Sequence, residues 1–392
     1  MFDTLTESPD FTLTEDQAAI RDLARDFAET ELKPHRNEWD ESQEFPMDAF
    51  KKMGALGFLG TLVSTELGGA GLGAQENSII IEEIARVDPA VALSVAAHNG
   101  LCSAHINKFA SDEIRAKYMP PLARGEILGA WGLTEPSAGS DAGGTRTVAV
   151  RDGDHYILNG AKNFITHGTV GDTTVIMAVT EPGKGARGIS AFVLDKSMPG
   201  FYASKKENKL GMRCSDTSSL VMDNVRVPAR NRIGAEGEGF VQALQILDGG
   251  RISIAALALG TAQGAFEAAI AYAQTREQFG KPIAAQQAIQ FKLAQMGMKL
   301  EAARALTYKA AWLRDAGQPF GKAASMAKLF ASEAAVNLSE EAIQIHGGYG
   351  YIKEYPVEKF WRDSKLLTIG EGTSEVQRMV IARKVIEENA QN

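Results

Sequence analysis

Hydrophobic periodicity changes twice along these 392 residues, and those two changes restrict the fold more than any other feature. Up to about residue 127 the apolar residues recur at helical spacing. Thr14 and Gln17 form a capping-box pair ahead of Ile20, Leu23 and Phe27, Pro34 ends that helix, and Pro46 opens another that carries Phe50, Met53 and Leu56. Further helices are predicted over about 77–86, 89–109 and 111–124. Between Leu128 and about Val227 the period becomes two, the spacing of strands. From about Gly237 the chain is helical again and rich in alanine. This predicts a helical N-terminal domain over 1–127, a central β-domain over 128–236 and a helical C-terminal domain over 237–392. Breaks at Gly280-Lys281-Pro282, Gly317-Gln318-Pro319 and Gly347–Gly350 leave three long helices, and a short helix follows Ser374, so a four-helix bundle is the simplest packing.

Within the β-domain, His155–Leu158 and a second run to Thr166 flank Asn159-Gly160, which predicts a hairpin with a favoured two-residue turn. Thr173–Val179, Gly188–Leu194 and Ser218–Val227 read as further strands, and Pro228 closes the region. The stretch Gly68–Ala74 contains G-x-G-x-x-A. No βαβ unit surrounds it, so it reads as an interhelical loop rather than a dinucleotide fingerprint.

Composition bounds the function. A net charge of −8 argues against broad nucleic-acid binding, and an anionic ligand would need local cations to hold it. Cys102 and Cys214 give neither a disulfide framework nor metal-ligand spacing. No apolar run reaches the ~18 residues of a membrane span, and MFDTLTESPD lacks the features of a signal or transit peptide. A cytoplasmic enzyme fits.

Near the C-terminus, Glu371 stands between Gly370 and Gly372, just before a helix that Ser374 and Gln377 would cap as a box. The glycines let the backbone turn and let a ligand approach, and the amides of the helix start suit a phosphate.

Six stretches together resemble the acyl-CoA dehydrogenase family of flavoenzymes: Trp131–Asp141 (WGLTEPSAGSD), Asn163–Thr166 (NFIT), Lys209–Thr217 (KLGMRCSDT), Thr275–Gly280 (TREQFG), Gln344–Gly350 (QIHGGYG) and the Glu371 stretch (IGEGTSEVQR). The resemblance covers essentially the whole chain. It implies a helical domain, a central β-barrel and a C-terminal four-helix bundle, assembled as a homotetramer with one FAD per subunit. Trp131, Leu133, Thr134, Gly139 and Ser140 would border the flavin, with Ser140 also meeting the CoA portion. Phe164, Ile165 and Thr166 would close the other side of the ring. Arg276 would reach the FAD pyrophosphate of a neighbouring subunit with Phe279 near the adenine, and Gln287, Gln344, Ile345, Gly347 and Gly348 would complete that site. Thr373 and Glu375 would also meet the cofactor. Asp248, Arg251 and Gly372 would line the acyl-CoA arm. Asp248-Gly249-Gly250-Arg251 is odd as helix, because each interior glycine costs about 1 kcal/mol relative to alanine, and a ligand lying against the backbone explains it.

The resemblance also implies the base. Relatives acting on isovaleryl-CoA place their catalytic glutamate just before the arginine, where this chain has Gly250. The other family position holds Glu371, which would take the α-proton while the β-hydrogen leaves as hydride, giving a trans-2-enoyl-CoA. Burial against the flavin should raise its pKa. Electrons would pass to electron-transferring flavoprotein. The Val91–Phe109 helix resembles that of short-chain members. Gly370 replaces the tyrosine of many relatives, which leaves a branched acyl group as the alternative. An oxygen-using acyl-CoA oxidase is a further alternative; such relatives usually carry a long extra C-terminal region not seen here.

Overall fold

A computed structural model describes residues 11–390, so the MFDTLTESPD stretch lies outside the described residues. The chain forms twelve α-helices and ten strands among those residues. The first helices are α1 (Glu15–Phe27), α2 (Arg36–Ser42), α3 (Met47–Ala55), α4 (Ala74–Val87), α5 (Pro89–Ala97), α6 (Ala104–Phe109) and α7 (Asp112–Ala123). The strands are β1 (Gly129–Gly132), β2 (Val148–Asp152), β3 (His155–Thr166), β4 (Thr173–Val179), β5 (Ile189–Asp195), β6 (Phe201–Lys206), β7 (Thr217–Pro228) and β8 (Arg232–Ile233). Then come α8 (Gly239–Thr275), the short β9 (Glu277–Gln278) and β10 (Lys281–Pro282), α9 (Gln287–Asp315), α10 (Gly321–His346), α11 (Val357–Leu367) and α12 (Ser374–Asn389). They gather into two compact units, one made of the chain through Pro34, Gly73–Pro89 and everything from Arg251, the other of His35–Leu72 and Ala90–Gly250.

In the second unit one eight-stranded sheet runs in the order β6-β7-β3-β2-β4-β5-β8, with β1 added parallel to β4. β4 and β5 read as unbroken apolar runs because both their faces are buried. Val175, Met177, Ala191 and Val193 point into a core shared with α6 and α7. Ile176, Ala178, Phe192 and Leu194 point into another, where they meet residues of β1, β2, β3, β6 and β7. Seven strands thus converge on one filled interior, the arrangement of a small barrel.

The expected hairpin at Asn159-Gly160 does not form. His155–Thr166 is one continuous strand along β7, and Gly160, at φ +151°, sits at a register shift. The glycine serves a bulge instead of a turn: a Cβ there would lie 2.4 Å from the Thr147 hydroxyl. The partner strands of β3 are β2 and β7. β2 and β6 lie outside the strands predicted, as do the short β1 and β8.

In the first unit, the α1 cap is the predicted box, with the Thr14 side chain accepting from the Gln17 amide and the Gln17 side chain accepting from the Thr14 amide. Two glycines one turn apart on α8 explain its close packing. A Cβ on Gly260 would lie 2.2 Å from the Glu82 carbonyl of α4, and one on Gly264 would lie 2.2 Å from the Arg86 carbonyl and 2.6 Å from the Phe360 ring of α11. The three long helices and α12 are joined by α11, which the sequence reading passed over. α8 is long and apolar enough by composition to cross a membrane, yet 67% of its most apolar window is buried inside the protein, as in a core helix. The α4 end of the glycine-rich loop holds no anion site. The Asp315 carboxylate accepts from the Ala74 and Gln75 amides at 2.6 and 2.9 Å, which satisfies that helix start.

Candidate active site

Glu371 occupies a left-handed backbone conformation, φ +52°, which an ordinary side chain rarely adopts. Gly372 follows at φ +92°. Gly370 uses no such freedom, and a Cβ there would meet only Leu366, at 3.7–3.8 Å, in ordinary contact. The turn is held from two helices. Lys328 of α10, wholly buried, donates to the Gly372 carbonyl at 2.7 Å. The Gln377 amide of α12 donates to the Gly372 and Glu371 carbonyls at 3.1 and 3.3 Å.

That second grip corrects the expected capping box. Thr373, not Ser374, caps α12, its hydroxyl accepting from the Val376 amide at 3.3 Å. Gln377 is turned toward the loop carbonyls and is unavailable for a box. The Ser374 amide donates to the Thr368 carbonyl at 3.0 Å, so the helix start offers a phosphate less than the sequence suggested. Glu375 is exposed, 3.8 Å from Arg378.

Three side-chain atoms of this loop are buried without a hydrogen-bond partner: Glu371 Oε2, Ser374 Oγ and Gln377 Oε1. Buried polar groups are ordinarily satisfied, so such a cluster marks where a ligand would complete the contacts. Burial pushes the Glu371 carboxyl up to about 7, and the charges of Lys328 and Arg251 keep it from rising further. Arg251 is 6% exposed and its guanidinium donates to Ser325 Oγ at 3.4 Å. Lys328 is the residue the sequence reading missed. A signal existed: it stands in the centre of the buried alanine and serine face of α10, between Ala327 and Ala331.

The second unit holds the residues predicted beside the flavin. Leu133 and Ile165 are buried, Thr134 and Thr166 half-buried, Gly139 and Ser140 exposed. Thr134 is anchored through its backbone, its carbonyl accepting from the Asn163 amide at 2.9 Å. Next to it Glu135, also missed, accepts from Lys162 Nζ at 2.7 Å and from the Arg146 and Thr147 amides at 2.7 and 3.0 Å. Burial would raise its pKa, and the Lys162 charge with these hydrogen bonds holds it below the usual range. The Trp131 indole donates to His105 Nδ1 at 3.0 Å. His105 Nε2 therefore carries the hydrogen toward Gln242 Oε1 at 3.1 Å, and burial lowers its pKa to about 4, which keeps it neutral.

Phe164 sits in the irregular β3–β7 stretch at φ +58° and is 67% exposed. Phe279 forms the tip of the β9–β10 turn at φ +56° and is 92% exposed. Left-handed phenylalanine is strained, and strain of this kind concentrates where a ligand is clamped. Beside Phe279, an open cavity of about 600 Å³ is lined by Arg276, Gln286, Ile345, Gly347 and Gly348, among others. A Cβ on Gly347 or Gly348 would meet nothing within 4 Å. The Arg276 guanidinium lies 5.5 Å from the Tyr349 ring centre. Gln287 and Gln344, both predicted here, are outside the lining, and Gln286 takes the place of the former. Asp248 is half-buried on α8, and Gly249 and Gly250 lie within that unbroken helix. Among the described residues no cluster of His, Cys, Asp or Glu could hold a metal ion.

These features fit a flavin nucleotide: aromatic platforms, an arginine beside open glycine backbone, and hydroxyls on anchored backbone. Comparison with known proteins agrees. Residues 14–126 match the acyl-CoA dehydrogenase N-terminal domain, 130–225 the middle domain and 237–386 the C-terminal domain. The short-chain-specific acyl-CoA dehydrogenase of Clostridium acetobutylicum is 48% identical over 96% of this chain and 99% of its own. A subunit of the caffeyl-CoA reductase-Etf complex of Acetobacterium woodii is 46% identical over 94% and 98%. The butyryl-CoA dehydrogenase structure from Megasphaera elsdenii superposes with a TM-score of 0.95 at 43% identity, covering 96% of this chain and 100% of that one. The chain belongs to the acyl-CoA dehydrogenase family, a family of flavoprotein oxidoreductases.

Proposed function

We propose that this protein is an FAD-dependent dehydrogenase of short acyl-CoA thioesters, with Glu371 as base and electron-transferring flavoprotein as acceptor. One observation carries the reading: a carboxylate in a strained left-handed turn, with one oxygen buried and unpaired and a pKa of about 7. A base poised near the working pH is the most effective for proton transfer.

In this reading Glu371 takes the α-proton of the thioester. Its own amide, for which no hydrogen bond is seen among the described residues, would donate to the thioester carbonyl as the enolate forms. Arg251 and Asp248 hold the acyl-CoA arm beside Gly372, with Ser140 meeting the CoA portion. Thr134 and Thr166 would donate to the polar edge of the flavin, Trp131, Leu133, Gly139, Phe164 and Ile165 would border it, and Thr373 and Glu375 would also meet the cofactor. Arg276, Phe279, Ile345, Gly347 and Gly348 serve the adenosine diphosphate end of a neighbour's cofactor. FAD, when bound, supplies the acceptor for the β-hydrogen. The shared site goes with a homotetramer; the proposal also takes the enzyme as cytoplasmic and its domains as 1–127, 128–236 and 237–392. The names of the Clostridium and Megasphaera relatives support a short acyl group, and that of the Acetobacterium relative supports the acceptor.

The test is an absorption spectrum of the purified protein with and without a panel of acyl-CoAs in the absence of air. It should be yellow with one FAD per chain, and four- to six-carbon substrates should bleach it faster than a sixteen-carbon one. A colourless protein that takes up no FAD contradicts the flavoenzyme reading, and the reverse chain-length order contradicts the short-chain one.

A further inference from the structure

Two buried cations, Lys328 and Arg251, act electrostatically on the Glu371 carboxylate. A buried ammonium costs several kcal/mol unless it is well paired, and an apolar side chain would fill the place of Lys328 without that cost. Its recorded hydrogen bond goes to the Gly372 carbonyl, the far side of the turn that carries the base.

We infer that Lys328 is a positioning residue for the base: it fixes the left-handed Glu371–Gly372 turn through the Gly372 carbonyl, and its charge keeps the enclosed carboxylate able to ionise. The inference rests on the reading of Glu371 as base. The charged groups around the pair come from three helices. Lys328 of α10 and Arg251 of α8 act on Glu371 through their charges. Glu333 of α10 and Glu375 of α12 also act on Lys328. Those two acids are engaged by Arg378, at 2.5 and 3.8 Å, and are exposed to solvent. Lys328 and Arg251 are therefore the charges that bear on the base. Burial lowers Lys328 to about 8 and raises Glu371 to about 7, and each charge moderates the shift of the other.

Three substitutions separate the two roles. K328Q keeps a donor for Gly372 and loses the charge, K328R keeps both, and K328M loses both with an apolar side chain suited to a buried place. The rate of flavin reduction by butyryl-CoA is measured against pH without air. In K328Q and K328M the acid limb should move upward by about one to three pH units, the effect of a nearby opposite charge. Each unit is about a tenfold loss of rate on the limb. K328R should keep the wild-type limb. K328M alone should also lose the alkaline plateau, because the Gly372 carbonyl is released. An infrared pH titration of substrate-free protein, taking the protonated carboxyl band absent from E371Q, should show the same upward move. If the limb and the band stay put in both neutral variants while rate falls equally at every pH, Lys328 is merely structural and the inference is overturned. If wild type itself reduces no flavin with any acyl-CoA, the functional reading fails, and the infrared titration alone still decides whether Lys328 sets the Glu371 carboxyl.

Discussion

Glu135 and Glu371 share a setting and end in opposite states. Each lies within protein near a buried lysine, and burial lowers both lysines, Lys162 and Lys328, to about 8. Lys162 gives its ammonium to the Glu135 carboxylate at 2.7 Å and two backbone amides fill the remaining lone pairs. Lys328 gives its ammonium to a backbone carbonyl, and Glu371 keeps an unpaired oxygen. The first carboxylate falls below its usual range and the second rises to about 7. Burial and a nearby lysine therefore do not make a base. What matters is whether the fold spends its donors on the carboxylate or on the backbone that carries it.

The largest break in this comparison is Glu371→Gln. It keeps size and removes the proton acceptor, and turnover of butyryl-CoA should fall by about 10²–10⁴-fold, with FAD content retained. Glu135→Gln should do the reverse. It leaves Lys162 buried without its counter-charge, which costs about 3–5 kcal/mol, so the melting temperature should drop while any folded fraction retains its rate per flavin.

Proton linkage sharpens the contrast by its sign. Glu371 has a raised pKa in the folded state, so between the pKa of a free carboxyl and about 7 the fold holds a proton that the unfolded chain releases, and stability falls with rising pH across that window. Glu135 has a lowered pKa, so its contribution is present above the unfolded carboxyl pKa and is lost as pH falls. Melting curves should show Glu371→Gln gaining on wild type as pH rises from the pKa of a free carboxyl to about 7 and holding that gain above it. Glu135→Gln should lose most at neutral pH and least in acid.

The smallest effects distinguish the two glycines of the turn. Gly372→Ala forces φ +92° on alanine and brings a Cβ to 2.7 Å from Gln377 Nε2, so activity should fall. Gly370→Ala meets only Leu366 in ordinary contact and should change turnover little.

The sequence told more about strings of residues than about pairs. The Thr14–Gln17 cap and the β4 bounds Thr173–Val179 were legible because local pattern decides both. The Asn159-Gly160 turn was misread because the residues that favour a hairpin turn also serve a bulge, and only the neighbouring Thr147 distinguishes them. Glu371 was legible as an acid between glycines. Its strain, its unpaired oxygen and its distance from any direct ion pair were not, because they depend on Lys328 and Gln377, which lie 43 and 6 positions away in the sequence. Phe164 and Phe279 were named by resemblance, and their shared left-handed backbone emerges only from the fold.

On this reading Glu371 is an unpaired base poised near neutrality. Single-turnover flavin reduction by butyryl-CoA, followed without air against pH in wild type and in Glu371→Gln, tests it most directly. The wild-type rate should rise through a pKa near 7, shifted by bound substrate but still a single ionisation. In Glu371→Gln the flavin should stay oxidised at every pH, while its spectrum still changes when the thioester binds. Reduction of the Glu371→Gln flavin at nearly the wild-type rate would contradict it, because the proton would then be leaving to another group.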